Sequence, residues 1–386
     1  MKLKTCLCVA LAAMVLVACG NSQGGKKVYD QRHFDRLDSI GLSYPKAKNV
    51  KMKFVDATSL NLIGKALPTP VFSHRIDTNK YKGFTEGELR QAISGAGLAL
   101  VFKTNSPVIS LNPTFGWELE ALNTMPWAYR GFDLYIQQDG KWLWAASKAN
   151  WPKETTPFRL IECMDNEEKI CLLYLPMYSE LIDLKIGVAD DAYIEPIASP
   201  FRHKIVFHGS SFTQGISISR AGMSYPTQFS RMTGLGIIPL GFSGNCKMQP
   251  YFADFLEDVQ ADAFVFDSFS NPGHRMIKER LETFVERMVA SHPGVPLIFQ
   301  RTIYRESRNF NRFKAAEEQA RQDMSDCLMA QLCEKYKDVY YIVADATSED
   351  HETSVDGTHP GDYGYTLWAR SIEKPILKIL AKYGIK

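Results

Sequence analysis

The chain has 386 residues, long for one domain and comfortable for two. Hydrophobic residues make up 45% and charged residues 23%, the composition of an ordinary soluble globular protein with ample core. A formal net charge of +2, without any Lys/Arg-dense block, predicts no nucleic-acid partner.

Lys2 and Lys4 precede an apolar run over residues 6–17, which ends in Leu16-Val17-Ala18-Cys19-Gly20. A positive start and a short apolar stretch read as a secretory signal, too short to span a bilayer as a mature helix. The Leu-x-Ala-Cys ending resembles a bacterial lipobox. That resemblance implies cleavage before Cys19 and a lipid on its thiol. Residues 1–19 are then the signal and residues 20–28 a flexible tether. The protein is then expected in the bacterial cell envelope, lipid-anchored at the periplasmic face or outer membrane. Apart from Cys6, Cys8 and Cys19, the cysteines are Cys163, Cys171, Cys246, Cys327 and Cys333. An odd number without CxxC spacing argues against a disulfide framework and a zinc site. Cys163 and Cys171 flank a polar turn, and a disulfide across it is left open.

Residues 29–200 read mostly as β. Alternating or apolar runs recur at 50–55, 98–102, 131–136, 141–145, 158–161, 169–175 and 184–188, bounded by Gly, Pro, Asn and Asp. Many short strands between turn signals predict a β-sandwich. Asp139-Gly140 carries a hairpin signal. Trp117, Trp127, Trp142, Trp144 and Trp151 all fall here, and core packing is the expected reason, with a sugar platform as the alternative.

From about residue 203 the rhythm changes. Strand-like runs at 205–207, 236–240, 263–266, 296–300 and 339–343 alternate with helical stretches near 222–233, 250–260, 274–291, 309–335 and 362–382. Five such units predict a parallel sheet covered by helices on both faces, with the boundary between the halves at 196–202.

The second half carries the chemistry. Gly209-Ser210-Ser211-Phe212-Thr213, Gly241-Phe242-Ser243-Gly244-Asn245 and Asp267-Ser268-Phe269-Ser270-Asn271 each follow a predicted strand, and Asp356-Gly357-Thr358-His359 follows the last one after a loop. In a parallel sheet these positions converge on one edge. Acyl transfer by a serine needs a base beside the hydroxyl, a carboxylate to orient that base, and donors aimed at the developing oxyanion. Ser211 can be the nucleophile, with Ser210 its rival. His359 can be the base, and Asp356, three residues earlier, its orienting acid. The N–H groups of Ser211 and Gly244 and the Asn271 amide can form the oxyanion hole. His208 is expected to be packed. Arg220 and Arg301 lie near motif loops, open to substrate or to domain contact.

These blocks resemble those of the SGNH, or GDSL-like, hydrolases. Ser210 stands where GDSL has Asp, and Ser211 falls on the nucleophile. Gly244 and Asn271 fall on the second- and third-block residues, and Asp356 and His359 match the final DxxH. The third block departs from the family pattern, since the familiar Gly-x-Asn-Asp is Phe269-Ser270-Asn271-Pro272. Gly131-Phe132-Asp133-Leu134-Tyr135 resembles the GxDLY signature of a β-rich domain that precedes some bacterial SGNH esterases. Asp133 is expected to serve structure or domain contact. The resemblance implies a flavodoxin-like three-layer α/β/α SGNH domain over 203–386 after the β-sandwich. It also implies a serine esterase that needs no metal or organic cofactor, acting on acetylated oligo- or polysaccharides. The alternatives are a lipid or aryl esterase, a transacylase, and a carbohydrate-binding lipoprotein with an inactive hydrolase half.

Overall fold

A computed structural model describes residues 50–119, 121–151, 154 and 156–386. The signal, the tether, the Cys19 lipid site and residues 29–49 of the sandwich region lie outside the described residues.

The first half is antiparallel. Its strands are β1 (Met52–Asp56), β2 (Asn61–Ile63), β3 (Ala99–Thr104), β4 (Ile109–Glu118), β5 (Phe132–Gln138), β6 (Lys141–Lys148), β7 (Phe158–Ile161), β8 (Lys169–Tyr174), β9 (Ser179–Ala189) and β10 (Ile194–Pro196). Two short helices, α1 (Glu86–Ala92) and α2 (Pro126–Tyr129), interrupt them. A sheet ordered β1-β9-β4-β7 faces a second ordered β10-β3-β8-β5-β6, with β2 on β3. Leu111, Leu184 and Ile186 from the first share a buried core with Leu100, Phe102 and Leu173 from the second, so the two sheets form the expected sandwich. Asp139 and Gly140 have φ of 51° and 73°, the left-handed pair that a two-residue hairpin between β5 and β6 requires.

Two differences from the sequence reading have local causes, and the Cys163–Cys171 pairing that it left open is absent. β4 is a ten-residue strand through Asn112-Pro113, a pair that signals a turn. It survives because Pro113 pairs only toward β9, opposite Leu184, while β7 pairs β4 no further than Leu111. The missing N–H therefore faces an unpaired side. Of the tryptophans in this half, Trp127, Trp144 and Trp151 are exposed rather than core and Trp117 is half-buried, while Trp142 is half-buried and packs against the core cluster at the domain seam. Trp142 and Trp144 sit on β6, an edge strand, where Trp142 stacks on Phe201 at 5.8 Å. Cys163 and Cys171 are both free thiols. Cys171 points into the sandwich core and Cys163 is exposed.

In the second half, β11 (Arg202–Gly209), β12 (Leu235–Gly241), β13 (Ala263–Asp267), β14 (Leu297–Arg301) and β15 (Val339–Val343) form a parallel sheet ordered β12-β11-β13-β14-β15. The helices are α3 (Ser211–Gln214), α4 (Tyr225–Thr233), α5 (Pro250–Glu257), α6 (His274–Ser291), α7 (Arg312–Lys335) and α8 (Asp362–Leu380). Strand residues alternate between faces. Ile205, Phe207, Val265 and Ile298 meet Phe229 of α4 and Trp368 and Ile372 of α8. Val206, Phe264, Phe266 and Phe299 meet Phe252 of α5, Leu281 of α6 and Met329 of α7. This is the three-layer α/β/α arrangement, with the strand order of flavodoxin-like folds. α4 begins at Tyr225, later than expected, because Ala221–Met223 forms a separate 3-10 turn. α7 begins at Arg312, where Asn311 caps it by accepting the Lys314 N–H at 3.0 Å.

The two halves share an apolar cluster in which Val101, Tyr135, Leu172 and Tyr174 of the sandwich meet Ile218, Ala221 and Phe229. Asp133 is the polar centre of this seam. Its buried carboxylate accepts from Arg220 Nη1 at 2.7 Å, Gly222 N at 2.8 Å and Trp144 Nε1 at 3.1 Å. A Cβ on Gly222 would lie 2.7 Å from Asp133 Oδ2, so only glycine permits that approach. Asp133 and Arg220 thus act at the domain contact. Arg301 instead pairs with Asp326 on α7.

Candidate active site

Three strand-end turns and the loop after β15 bring Ser211, Gly244, Asn271 and His359 to one cavity, with Asp356 behind His359. It measures about 400 Å³ and is lined by Ser211, Ser243, Gly244, Asn271, Arg305, Thr358 and His359, with Asn123, Phe212 and Ile216. A larger cavity, about 750 Å³, lies at the opposite end of the sheet beside His203, Lys204, Gly236 and Asp262, and holds none of the expected residues.

Ser211 opens α3 directly after β11 and Ser210. Its Oγ lies 3.0 Å from His359 Nε2. His359 Nδ1 lies 2.8 Å from Asp356 Oδ2. The donor–acceptor row therefore runs from hydroxyl to imidazole to carboxylate within hydrogen-bond reach. Burial pushes the Asp356 carboxyl up. Hydrogen bonds from the His359 ring, the His359 and Thr358 N–H groups and the Asn123 amide outweigh it and hold the carboxyl at about 2.

Ser210 is turned away. It is fully buried, caps α3 by accepting the Phe212 N–H at 3.1 Å, and donates its hydroxyl to Asp267 Oδ2 at 2.5 Å. With its proton committed to Asp267 and its side chain fully buried inside the turn, it is not placed to attack a substrate. Asp267, the last residue of β13, also accepts the Ser210 N–H at 3.1 Å, the Thr213 hydroxyl at 3.2 Å and the Ser270 hydroxyl. Burial raises its carboxyl while these bonds oppose the rise. One carboxylate therefore ties the Ser211 turn to the Asn271 turn. The sequence reading assigned it no role, although a charge ending the apolar run Ala263-Phe264-Val265-Phe266 was a signal.

The oxyanion candidates sit together. Among the described residues neither the Ser211 N–H nor the Gly244 N–H has a protein acceptor. Gly244 has φ of 70°, and a Cβ there would meet no atom within 4 Å, so the backbone angle rather than protein crowding calls for glycine. Its neighbour Ser243 is fixed by the Gln214 side chain at 2.9 Å, Gln91 of α1 at 2.9 Å and the Tyr178 hydroxyl at 2.7 Å. Asn271 Oδ1 accepts the Cys246 N–H at 3.0 Å, which leaves Nδ2 for the cavity. The departing third block is held from behind. Arg305 donates to Ser270 O, and Arg321 Nε donates to Pro272 O at 2.9 Å, bracketing Asn271. Both guanidiniums share the buried Glu318 carboxylate, at 3.1 Å from Arg305 and 2.7 Å from Arg321.

His208 is packed as expected. It lies among Phe242, Phe252 and Phe266, its Nδ1 is 3.1 Å from Leu240 O, and burial pushes it down to about 4. Among the described residues no group of three His, Cys, Asp or Glu side chains could hold a metal ion.

A parallel sheet presenting a serine, histidine and aspartate in hydrogen-bonded sequence at its C-terminal edge is the architecture of a serine hydrolase. The chain belongs to the GDSL-like lipase/acylhydrolase family, whose model matches residues 202–378, and residues 52–194 match the model of the N-terminal region of SGNH-hydrolase-type esterases. It is similar to the crystal structure of a candidate GDSL-like lipase from Bacteroides ovatus, at 39% identity and a TM-score of 0.83, over 86% of this chain and 98% of that one. A salicylyl-acyltransferase from a tetracycline biosynthetic pathway shares the fold at 17% identity and a TM-score of 0.70, over 87% and 99% of the two chains. A family two carbohydrate esterase from Cellvibrio japonicus does so at 12% identity and a TM-score of 0.56, over 86% and 98%. No curated protein sequence matches the chain. Family membership makes the protein an esterase or acylhydrolase.

Proposed function

We propose that the protein is a serine esterase that removes acetyl groups from carbohydrates through an acyl-enzyme on Ser211. The observation that carries the chemistry is the 3.0 Å and 2.8 Å contacts joining Ser211, His359 and Asp356 beside two N–H groups that lack protein acceptors. Ser211 Oγ attacks the ester carbonyl carbon as His359 Nε2 takes its proton. The oxyanion accepts from the Ser211 and Gly244 N–H groups and from Asn271 Nδ2. Collapse breaks the carbon–oxygen bond, and His359 protonates the departing alcohol. A water deprotonated by the same imidazole then attacks the acyl carbon, releasing the carboxylate and restoring Ser211.

The cavity size favours a short acyl group. About 400 Å³ is near the lower end of the range for small-molecule sites, roughly 300–1,000 Å³, and suits acetyl with part of a sugar better than a long acyl chain. A screen of acetylated polysaccharides, with p-nitrophenyl acetate as control, is expected to show acetate release from a glycan. Turnover confined to long-chain or aryl esters would instead establish the second reading, a lipid or aryl esterase. That reading is favoured by exposed Leu122 and Val355, which flank Asn123 and Asp356 at the site.

The proposal includes a lipid anchor on Cys19 and a place in the cell envelope, motivated by Leu16-Val17-Ala18-Cys19. Cys19→Ala is expected to abolish incorporation of labelled fatty acid and move the protein from the membrane to the soluble fraction. Undiminished labelling would refute the anchor.

A further inference from the structure

One residue of the site comes from the sandwich half. Asn123 lies in the turn between β4 and α2, and its Nδ2 donates to Asp356 Oδ2 at 2.8 Å across 233 positions of sequence. The turn is pinned next door, where the Thr124 hydroxyl accepts the Ser217 N–H at 3.0 Å. Asn123 also reaches the cavity beside His359.

The acceptor positions on Asp356 show what this contact does. Oδ1 accepts the Thr358 and His359 N–H groups at 2.9 Å and 2.8 Å, and Oδ2 faces His359 Nδ1 and Asn123. A carboxylate offers about four lone-pair positions, so Asn123 fills the last one. The Asp356 side chain is 33% exposed, so without the amide that position falls to water. Water there leaves Oδ2 free to rotate away from the imidazole. A neutral amide fixes the carboxylate without cancelling its charge, which remains available to the imidazolium that forms when Ser211 is deprotonated.

We propose that Asn123 is a positioning residue for the acyl-transfer reaction, by which the sandwich half completes the Ser211–His359–Asp356 row. The inference rests on the reading of that row as the working triad. Its test has two variants and two readouts. One readout is steady-state hydrolysis of p-nitrophenyl acetate across pH. The other is the labelling rate of Ser211 by a fluorophosphonate, in which Ser211 Oγ bonds to phosphorus, fluoride leaves and His359 takes the proton.

Asn123→Ala is expected to lower both kcat and the labelling rate by about 10-fold, with KM changed less than about 2-fold. Asn123→Asp keeps the shape and sets a second carboxylate against Asp356. It is expected to lower kcat further and to move the acid limb of the rate profile up by about 0.5–1 pH unit, because added negative charge favours the protonated imidazole. The limb reports the introduced charge whatever the native role of Asn123, so the deciding readout is the split in Asn123→Ala, where a residue that only shapes the turn would raise KM along with any loss of kcat. Wild-type kcat and labelling in Asn123→Ala would overturn the proposal, as would a rise confined to KM. If the wild type is labelled at Ser211 but hydrolyses no acetyl ester, the substrate reading fails while the labelling rates still decide the role of Asn123. Should Asn123→Ala fail to fold, the isosteric Asp carries the test.

Discussion

Ser211→Ala is expected to reduce kcat on p-nitrophenyl acetate and acetylated glycans by about 10⁴- to 10⁶-fold, with KM and thermal stability little changed. The size follows from the geometry. The Ser211 hydroxyl has one protein partner, His359 Nε2, and takes no part in the network that holds its turn, which runs through Ser210, Thr213 and Asp267. Its removal therefore deletes the nucleophile and leaves the scaffold. The N–H groups of residues 211 and 244 and the Asn271 amide also remain, so catalysis above the uncatalysed rate persists. His359→Ala should cost a similar factor, and the double variant little more than either single one, because nucleophile and base act as a unit. A Ser211→Ala protein retaining a tenth of wild-type turnover would remove this serine from the mechanism.

The same geometry fixes the pH behaviour. The Asp356 carboxyl sits below its ordinary value, at about 2. Its charge is therefore complete at neutral pH and is lost only as pH falls through that value. Loss of the Asp356 charge therefore does not explain any inactivation in mildly acid solution.

Much of this was legible in the sequence. The parallel half announces itself because its strands are buried on both faces and read as unbroken apolar runs such as Ala263-Phe264-Val265-Phe266, with helices between them. The Gly209-Ser210-Ser211-Phe212-Thr213 turn and the Asp356-Gly357-Thr358-His359 loop are local motifs, so recognising them needs no tertiary information. The sandwich was read less fully because β4 hides a proline on an unpaired side and β2 and β10 have three residues each. Asn123 was illegible for a different reason: its partner is fixed only when the two halves dock. The inward face of α7 was obscured because Glu318, Arg321, Gln322 and Ser325 occupy it ahead of the apolar Met329 and Leu332.

That polar face supports the second large expectation. Glu318→Ala should destabilise the fold by about 3–5 kcal/mol, because it leaves two guanidiniums facing one another without their shared carboxylate. Glu318 and Arg321 are nearly inaccessible, and Arg305 is little more exposed, so water cannot replace the lost partner fully. The consequence also reaches the site. Arg305 holds Ser270 O, Arg321 holds Pro272 O, and Asn271 lies between them with its Oδ1 on the Cys246 N–H. Loosening the bracket releases an oxyanion donor whose loss in comparable sites costs about 10²- to 10³-fold in kcat. Glu318→Ala should therefore show a lower unfolding midpoint together with a fall in kcat, measured where the variant is still folded, that exceeds any change in KM. Glu318→Gln, which keeps an acceptor but not the charge, should fall between it and the wild type in both. If Glu318→Ala lowers the midpoint yet leaves kcat intact, the arginine bracket is structural only. The Asn271 turn would then be held by Asp267 through Ser270, and Asp267→Asn rather than Glu318→Ala would carry the loss of turnover.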